Sequence, residues 1–316
     1  MVRSRFARLS ALIVCGAIGL WASCEGDFSF SFTFIVPKQA TLAETQTVVL
    51  PAAAAVQIAN DSGSTRVTVD PEATEATLEI TRTASAETQE AADALLAQMV
   101  VTITPPTAEN DTLIVNAIRP PTATVDTSDF QATITEDEVT VVAIVGAAQV
   151  ANYRLRITLP AGHPVSVDQG VGQVRAVGLD MPSVLTTAAG SVRSIAAVAA
   201  LTVATEAGSA EIEAHRGSLD VDTNAGSVEV EIVALVSSDT VNVRVNAGSI
   251  NLWLPQGINA SLRALTDLGR VWFRERDFDM VTGLTETRAF VEATLGAGGA
   301  AIDLRTDTGS IDIHSF

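Results

Sequence analysis

The fold class predicted is all-β: a β-solenoid (β-helix) of short glycine-cornered strands, with one short amphipathic helix near 85–99. Three observations predict it. Gly190, Gly208, Gly217 and Gly226 stand 18, 9 and 9 residues apart, and Ala199 occupies the one vacant slot of the nine-residue period. The segment after each of the last three glycines places apolar side chains two and four positions on: Ala210 and Ile212, Leu219 and Val221, Val228 and Val230. The positions between are carboxylates: Glu211 and Glu213, Asp220 and Asp222, Glu229 and Glu231. Alternation with period two is a strand with one buried face. Its restart at a fixed interval marks a unit that buries its apolar side only by stacking on its neighbours.

The elements follow in order. Residues 1–23 read as a signal peptide, with Arg3, Arg5 and Arg8 ahead of the apolar run Leu9–Trp21. That run is shorter than the ~20 residues of a spanning helix. The chain has two cysteines, and Cys15 would leave with the signal. Cys24 closes the string GLWASC, which resembles a bacterial lipobox and would make Cys24 the lipidated first residue of the mature protein. Trp21 departs from the aliphatic residue usual in that pattern, and ordinary cleavage beside an unpaired thiol is the other reading. Segment 24–46 is expected to be an anchor and membrane-proximal stretch in which Phe28, Phe30, Phe32 and Phe34 alternate as in a strand.

Residues 47–165 read as a β-rich N-terminal part. Gly63-Ser64 followed by Thr65, Val67 and Val69 already shows the later repeat. Ala84–Met99 lacks Gly and Pro and spaces Ala91, Leu95 and Met99 four apart, which predicts the helix, with Ser85 as its N-cap. Strands are expected at Val100–Ile103, Thr112–Ile118, Val139–Val145 and Tyr153–Leu159, with an exposed loop over 119–138 marked by Pro120-Pro121. Residues 166–316 are the repetitive part. Beyond Ile232 the corners loosen to Gly248, Gly269, Gly298 and Gly309 while the apolar phase persists, as in Ile250, Leu252 and Leu254. Two nine-residue steps make an 18-residue coil with two sides.

The net charge is −18, and the chain beyond residue 23 carries −21. That balance argues against nucleic acid and against electrostatic docking on anionic lipid. It favours solubility, with calcium or another cationic partner as the other reading. His163, His215 and His314 fall at no metal-ligand spacing. The Gly-Ser pairs are corners, since no G-x-S-x-G elbow occurs. GAGGAA near residue 298 lacks the Lys-Ser/Thr of a phosphate loop. No catalytic, cofactor-binding or metal residues are therefore assigned. Glu211 and Glu229 are expected to stack one coil apart, as any solvated face would allow. Trp253 and Trp272 project outward in this phase and form a candidate interaction patch, unless the insertion 274–297 covers them. Strands of about five residues and a single tyrosine exclude an outer-membrane barrel, whose strands need ~9–11.

From about Val48 onward the sequence resembles the putative-adhesin β-helix family, a bacterial domain of unknown function. The reiterated units AGSVRSI, AGSAEIE, RGSLDVD, AGSVEVE, AGSINLW and TGSIDIH carry the resemblance, together with the lead-in YRLRITLPAGHPVSVDQGVGQV. It implies a β-helix on an exported or lipid-anchored protein, and supplies no catalytic residues. The expectation is a non-enzymatic envelope lipoprotein: an adhesin-like scaffold or interaction module held at the membrane through Cys24, with a protein or cell-surface partner. A polysaccharide-active β-helix enzyme and an envelope-stress regulatory component are the alternatives.

Overall fold

The computed structural model describes residues 38–121, 130–134, 139–143 and 149–316. The expected signal peptide, Cys24 and the phenylalanine strand lie outside them, as do parts of the 119–138 loop. In chain order the strands begin with β1 (Lys38–Val48), β2 (Ala55–Val69) and β3 (Ala76–Ala86), followed by the helix α1 (Gln89–Gln98), β4 (Val100–Thr104) and β5 (Thr112–Ile118). A separate antiparallel hairpin, β6 (Phe130–Ile134) and β7 (Val139–Ala143), belongs to a second unit. The main unit continues with β8 (Val150–Leu159), β9 (Val165–Val177), β10 (Ser183–Ile195) and β11 (Leu201–Arg216). Next come β12 (Leu219–Ala225), β13 (Val228–Ala234), β14 (Thr240–Ala247), β15 (Ile250–Leu254) and β16 (Ala260–Phe273). A single 3₁₀ turn at Glu275–Asp277 leads to β17 (Val281–Glu286), β18 (Phe290–Leu295) and β19 (Ala300–Ser315).

Strands β9, β10 and β11 pair in parallel at a constant offset of 18 residues, so that Ser166, Val184 and Thr202 fall in one line. Each of these long strands bends at a glycine into two ribs, as at Gly208 between Leu201–Thr205 and Ala210–Glu213. In the next coil the two ribs are β12 and β13, again 18 residues on. The step to β14 and β15 is 22 residues, the extra length forming the turn around Ser237. Successive coils thus build two walls whose inward side chains share one hydrophobic core. Val228, Val230, Ile250 and Leu252 are each 0 % exposed within it.

The bends form a column. A Cβ placed on Gly208 would lie 1.5 Å from the carbonyl oxygen of Gly190, and the same contact of 1.6–1.8 Å recurs at Gly172, Gly190, Gly226, Gly248, Gly269 and Gly309. With Gly63 at one end, eight glycines stack this way. Gly217 is a corner of another kind: it closes the opposite turn, its nearest neighbour is Ala199 at 3.6 Å, and its φ is +98°. The vacant slot that Ala199 fills is therefore one coil before Gly217. Gly298 serves the β18–β19 turn, where its N–H donates to the Leu295 carbonyl.

The parallel register does not start at residue 166. β2 is a full coil of the stack: its ribs pair with β9 from Val56–Val165 to Thr68–Val177, with Gly63 opposite Gly172. On its far side β2 pairs with β5 along the first rib and with β8 along the second, so β5 and β8 make one further coil. Tyr153 stands opposite Gly63 there, and its hydroxyl donates to the Ile118 carbonyl at 2.6 Å. At the other end β19 lies between β14/β15 and β16, pairing in parallel with both. Antiparallel strands close the stack: β4 on β5, β3 and then β1 on β8, and β18 and then β17 on β16.

The helix starts later than the spacing predicts. β3 runs to Ala86 because eleven consecutive residues pair with β1, from Val48–Ala76 to Lys38–Ala86, and that ladder overrides local helix propensity. Thr88, not Ser85, is the N-cap, its Oγ1 accepting from the Ala91 N–H at 3.1 Å. Ala92 and Leu95 face inward against β1 and β3, and Arg82 donates to the Met99 carbonyl at the helix C-terminus.

One inward position is polar in most coils. The residue three before each column glycine reads Asn60, Gln169, Thr187, Thr205, Thr223, Val245, Thr306 and Thr266 across the stack. The Thr205 hydroxyl donates to Thr223 Oγ1 at 3.1 Å, and Thr306 and Thr266 donate to the carbonyls of Gly248 and Gly309. Thr187 Oγ1 is buried and finds no hydrogen-bond partner among the described residues.

Candidate functional site

Because the coils stack in register, an outward position on one rib becomes a row crossing the strands at a spacing of ~4.8 Å. The row three residues past the glycine column reads Glu79, Arg156, Arg66, Arg175, Arg193, Glu211, Glu229, Asn251, Asp312, Trp272. Each is the direct cross-strand partner of the next, so ten strands contribute one charged line. Its four arginines are consecutive, flanked by Glu79 on one side and by Glu211 and Glu229 on the other.

Glu211 and Glu229 are neighbours one coil apart, as the nine-residue phase predicts. Asp220 is not part of that row: it sits on the other wall between Thr202 and Asn242. Arg193 lies 3.4 Å from Glu211 and also pairs with Glu213. Desolvation raises the Glu211 pKa above the usual carboxylate range. A hydrogen bond with Glu213 and repulsion from Glu213 and Glu229 add to that rise, and Arg193 opposes it.

The tryptophans lie on this same wall, separated by β19. Trp253 is opposite His314 and stacks on its ring, with centroids 5.2 Å apart. Trp272 is opposite Asp312, stays 53 % exposed, and carries the Arg270 guanidinium 4.3 Å above its ring. The insertion after Trp272 does not cover it. That segment folds Phe278 back onto Phe273 at 5.3 Å and so closes the end of the core. The histidines are dispersed. His163 is buried with Nδ1 2.8 Å from the Ala54 carbonyl, and His215 is fully buried with Nε2 3.1 Å from the Ser218 carbonyl. Among the described residues, no group of three or more His, Cys, Asp or Glu converges on a metal-sized space.

Among the described residues, shallow grooves mark the surface. One of about 520 Å³ opens over Arg66 and Arg156 and is bounded by Asp70, Pro71 and Glu79. A second, about 400 Å³, lies on the other wall between Asp168, Glu206 and Asp222, with no aromatic residue in its lining. The third, about 140 Å³, lies among Arg244, Arg263, Asp303 and Arg305. No helix among the described residues is long and apolar enough to cross a membrane.

The arginine row is the feature that sequence reasoning missed. Its signal was present as a thrice-repeated G-x-x-R, at Gly63–Arg66, Gly172–Arg175 and Gly190–Arg193. The three copies become adjacent only because β2, far off in the chain, slots beside β9.

No family model matches the chain, and no curated protein matches it. Among solved structures, it resembles one described as "a putative cell adhesion protein" from Clostridium sporogenes, at 11 % identity over 89 % of this chain and 100 % of that one, with a TM-score of 0.34. A second, described as "a putative adhesin" from Bacteroides fragilis, matches at 13 % identity over 87 % and 97 %, with a TM-score of 0.36. A third, "a putative adhesin" from Parabacteroides merdae, matches at 12 % over 86 % and 95 %, with a TM-score of 0.25. These are distant likenesses, and the functional reading stands on the residues.

Proposed function

We propose that this chain is a non-catalytic envelope lipoprotein whose β-solenoid body serves as an adhesin-like interaction module, exported and held at the membrane through Cys24. The observation that carries the reading is the ten-strand charged row. In-register stacking converts single outward residues into a long flat face of fixed charge pattern, suited to holding an extended partner rather than enclosing a small substrate. The GLWASC string supports the anchor.

The test has two arms. Mass spectrometry of the native N-terminus is expected to find an acylated Cys24, and the purified protein is expected to bind native envelope fragments saturably without releasing soluble saccharide. Reducing-end release from an envelope polysaccharide would replace this reading with the enzymatic one. An unmodified thiol at Cys24 would remove the anchor.

A further inference from the structure

In a chain of net charge −18, a run of four adjacent arginines stands out. Strands β8, β2, β9 and β10 lie side by side. On their second ribs the outward positions hold Arg154, Arg156, Arg66, Arg175 and Arg193 and no carboxylate. Arg156, Arg66, Arg175 and Arg193 are consecutive cross-strand partners, one cation per coil. Like charges directly opposite one another destabilise a sheet, and local rules are broken in this way chiefly at functional sites. Only the ends of the row are neutralised. Glu79 lies 3.9 Å from Arg156, and Arg193 is held by Glu211 and Glu213. Among the described residues no carboxylate reaches Arg66 or Arg175. One flanking row reads Arg154, Ser64, Gln173 and Ser191, and the other Thr158, Thr68, Val177 and Ile195, so hydrogen-bonding groups and a fifth cation lie beside the arginines without a carboxylate.

We propose that this strip binds a linear acidic glycan laid across the strands, each uronate carboxylate meeting one arginine and the sugar hydroxyls meeting the flanking Ser, Thr and Gln. The inference deepens the interaction-module reading and rests on it. One cation per ~4.8 Å of stack is close to the length that one sugar ring adds to an extended chain. Guanidinium and carboxylate also match as a two-point hydrogen-bonding pair. Single-stranded nucleic acid is disfavoured because its binding sites stack bases on aromatic side chains. The outward aromatic residues of this wall, Trp253 and Trp272, lie at its other end, beyond Glu211 and Glu229, and Tyr153 at the arginine end is buried. Duplex DNA would meet the acidic remainder of the molecule.

The experiment titrates the full chain with a fluorescent polygalacturonate octamer, a neutral maltooligosaccharide of equal length, and octathymidylate. Saturable binding of the uronate alone, weakening as salt rises, is expected. Arg66→Gln with Arg175→Gln should weaken it about tenfold or more with a melting temperature that is not lowered, since two like-charge contacts are relieved, and Trp272→Ala should leave it intact. No uronate binding, or uronate binding indifferent to the double substitution, overturns the proposal. So does octathymidylate binding of equal strength. Self-association of the wild type that the double substitution abolishes would assign the strip to a second copy's Glu211 and Glu229 instead. Wild type that binds envelope fragments but not the uronate overturns the strip alone, whereas wild type that binds neither removes the module reading too.

Discussion

At the scale of single residues, the corner glycines separate into two kinds that look identical in the sequence. In the column, the obstacle to a side chain is the backbone of the coil next door. A methyl group on Gly208 would overlap the Gly190 carbonyl, and that contact can be relieved only by parting the coils. Gly217 has open space and only a positive φ to protect. Gly208→Ala is therefore expected to cost more than about 3 kcal/mol, and Gly217→Ala about 1 kcal/mol. Equal losses in chemical denaturation would refute the close-approach argument. The polar column makes an opposite prediction. Thr187 Oγ1 is buried and unpartnered, so Thr187→Val keeps the shape, removes the orphan, and should raise stability by about 1 kcal/mol. Thr205→Val, which breaks the bond to Thr223, should lower it. His215 adds a pH dependence. Burial lowers its pKa from 6.5, against the opposing pull of the Ser218 and Gly217 carbonyls and Asp239. The folded state thus favours the neutral ring, and the stability this contributes is complete above pH 6.5 and is lost as pH falls below it. The melting-temperature advantage of wild type over His215→Gln should shrink between pH 7.5 and 5; a constant difference would rule out this titration.

At the scale of elements, what was legible in the sequence is what depends on neighbours nine or eighteen residues away. The ribs, their inward Val, Leu and Ile, the 18-residue coil and the pairing of Glu211 with Glu229 all follow from local period. What was not legible depends on long-range pairing. Strand β3 took residues 84–86 from the predicted helix because β1 pairs with them. The 274–297 segment closes the core end through Phe278 rather than shielding Trp272. The arginine row exists because Gly63 meets Gly172 across 109 positions of chain, and no local pattern announces that register. The place of β19 is a further case. Deleting residues 300–316 does not trim an end of the stack; it cuts both the β14/β15 ladder and the β16 ladder. The truncated chain is expected to lose protection throughout β16–β18 in limited proteolysis. Protection there equal to full length would show that β16 can dock on β14 and β15 directly.

At the scale of the main unit, the stack manages its own edges. A parallel ladder ends in unpaired N–H and C=O groups that invite further chains. Here antiparallel strands occupy those positions: β4, β3 and β1 at one end, β18 and β17 at the other. Carboxylates on the outer walls add repulsion between molecules. The parallel ladder thus ends in short antiparallel strands along most of its edges, while the long lateral face stays available.

The interleaving of β19 also bears on how the protein is made. As the polypeptide emerges, β9 can settle on β2 and each later coil through β13 on the coil before it, whereas β16 finds its parallel partner only when residues 300–315 arrive. Closure of that seam thus waits for β19, and any product that stops before residue 300 carries it unlatched for quality-control proteases to find.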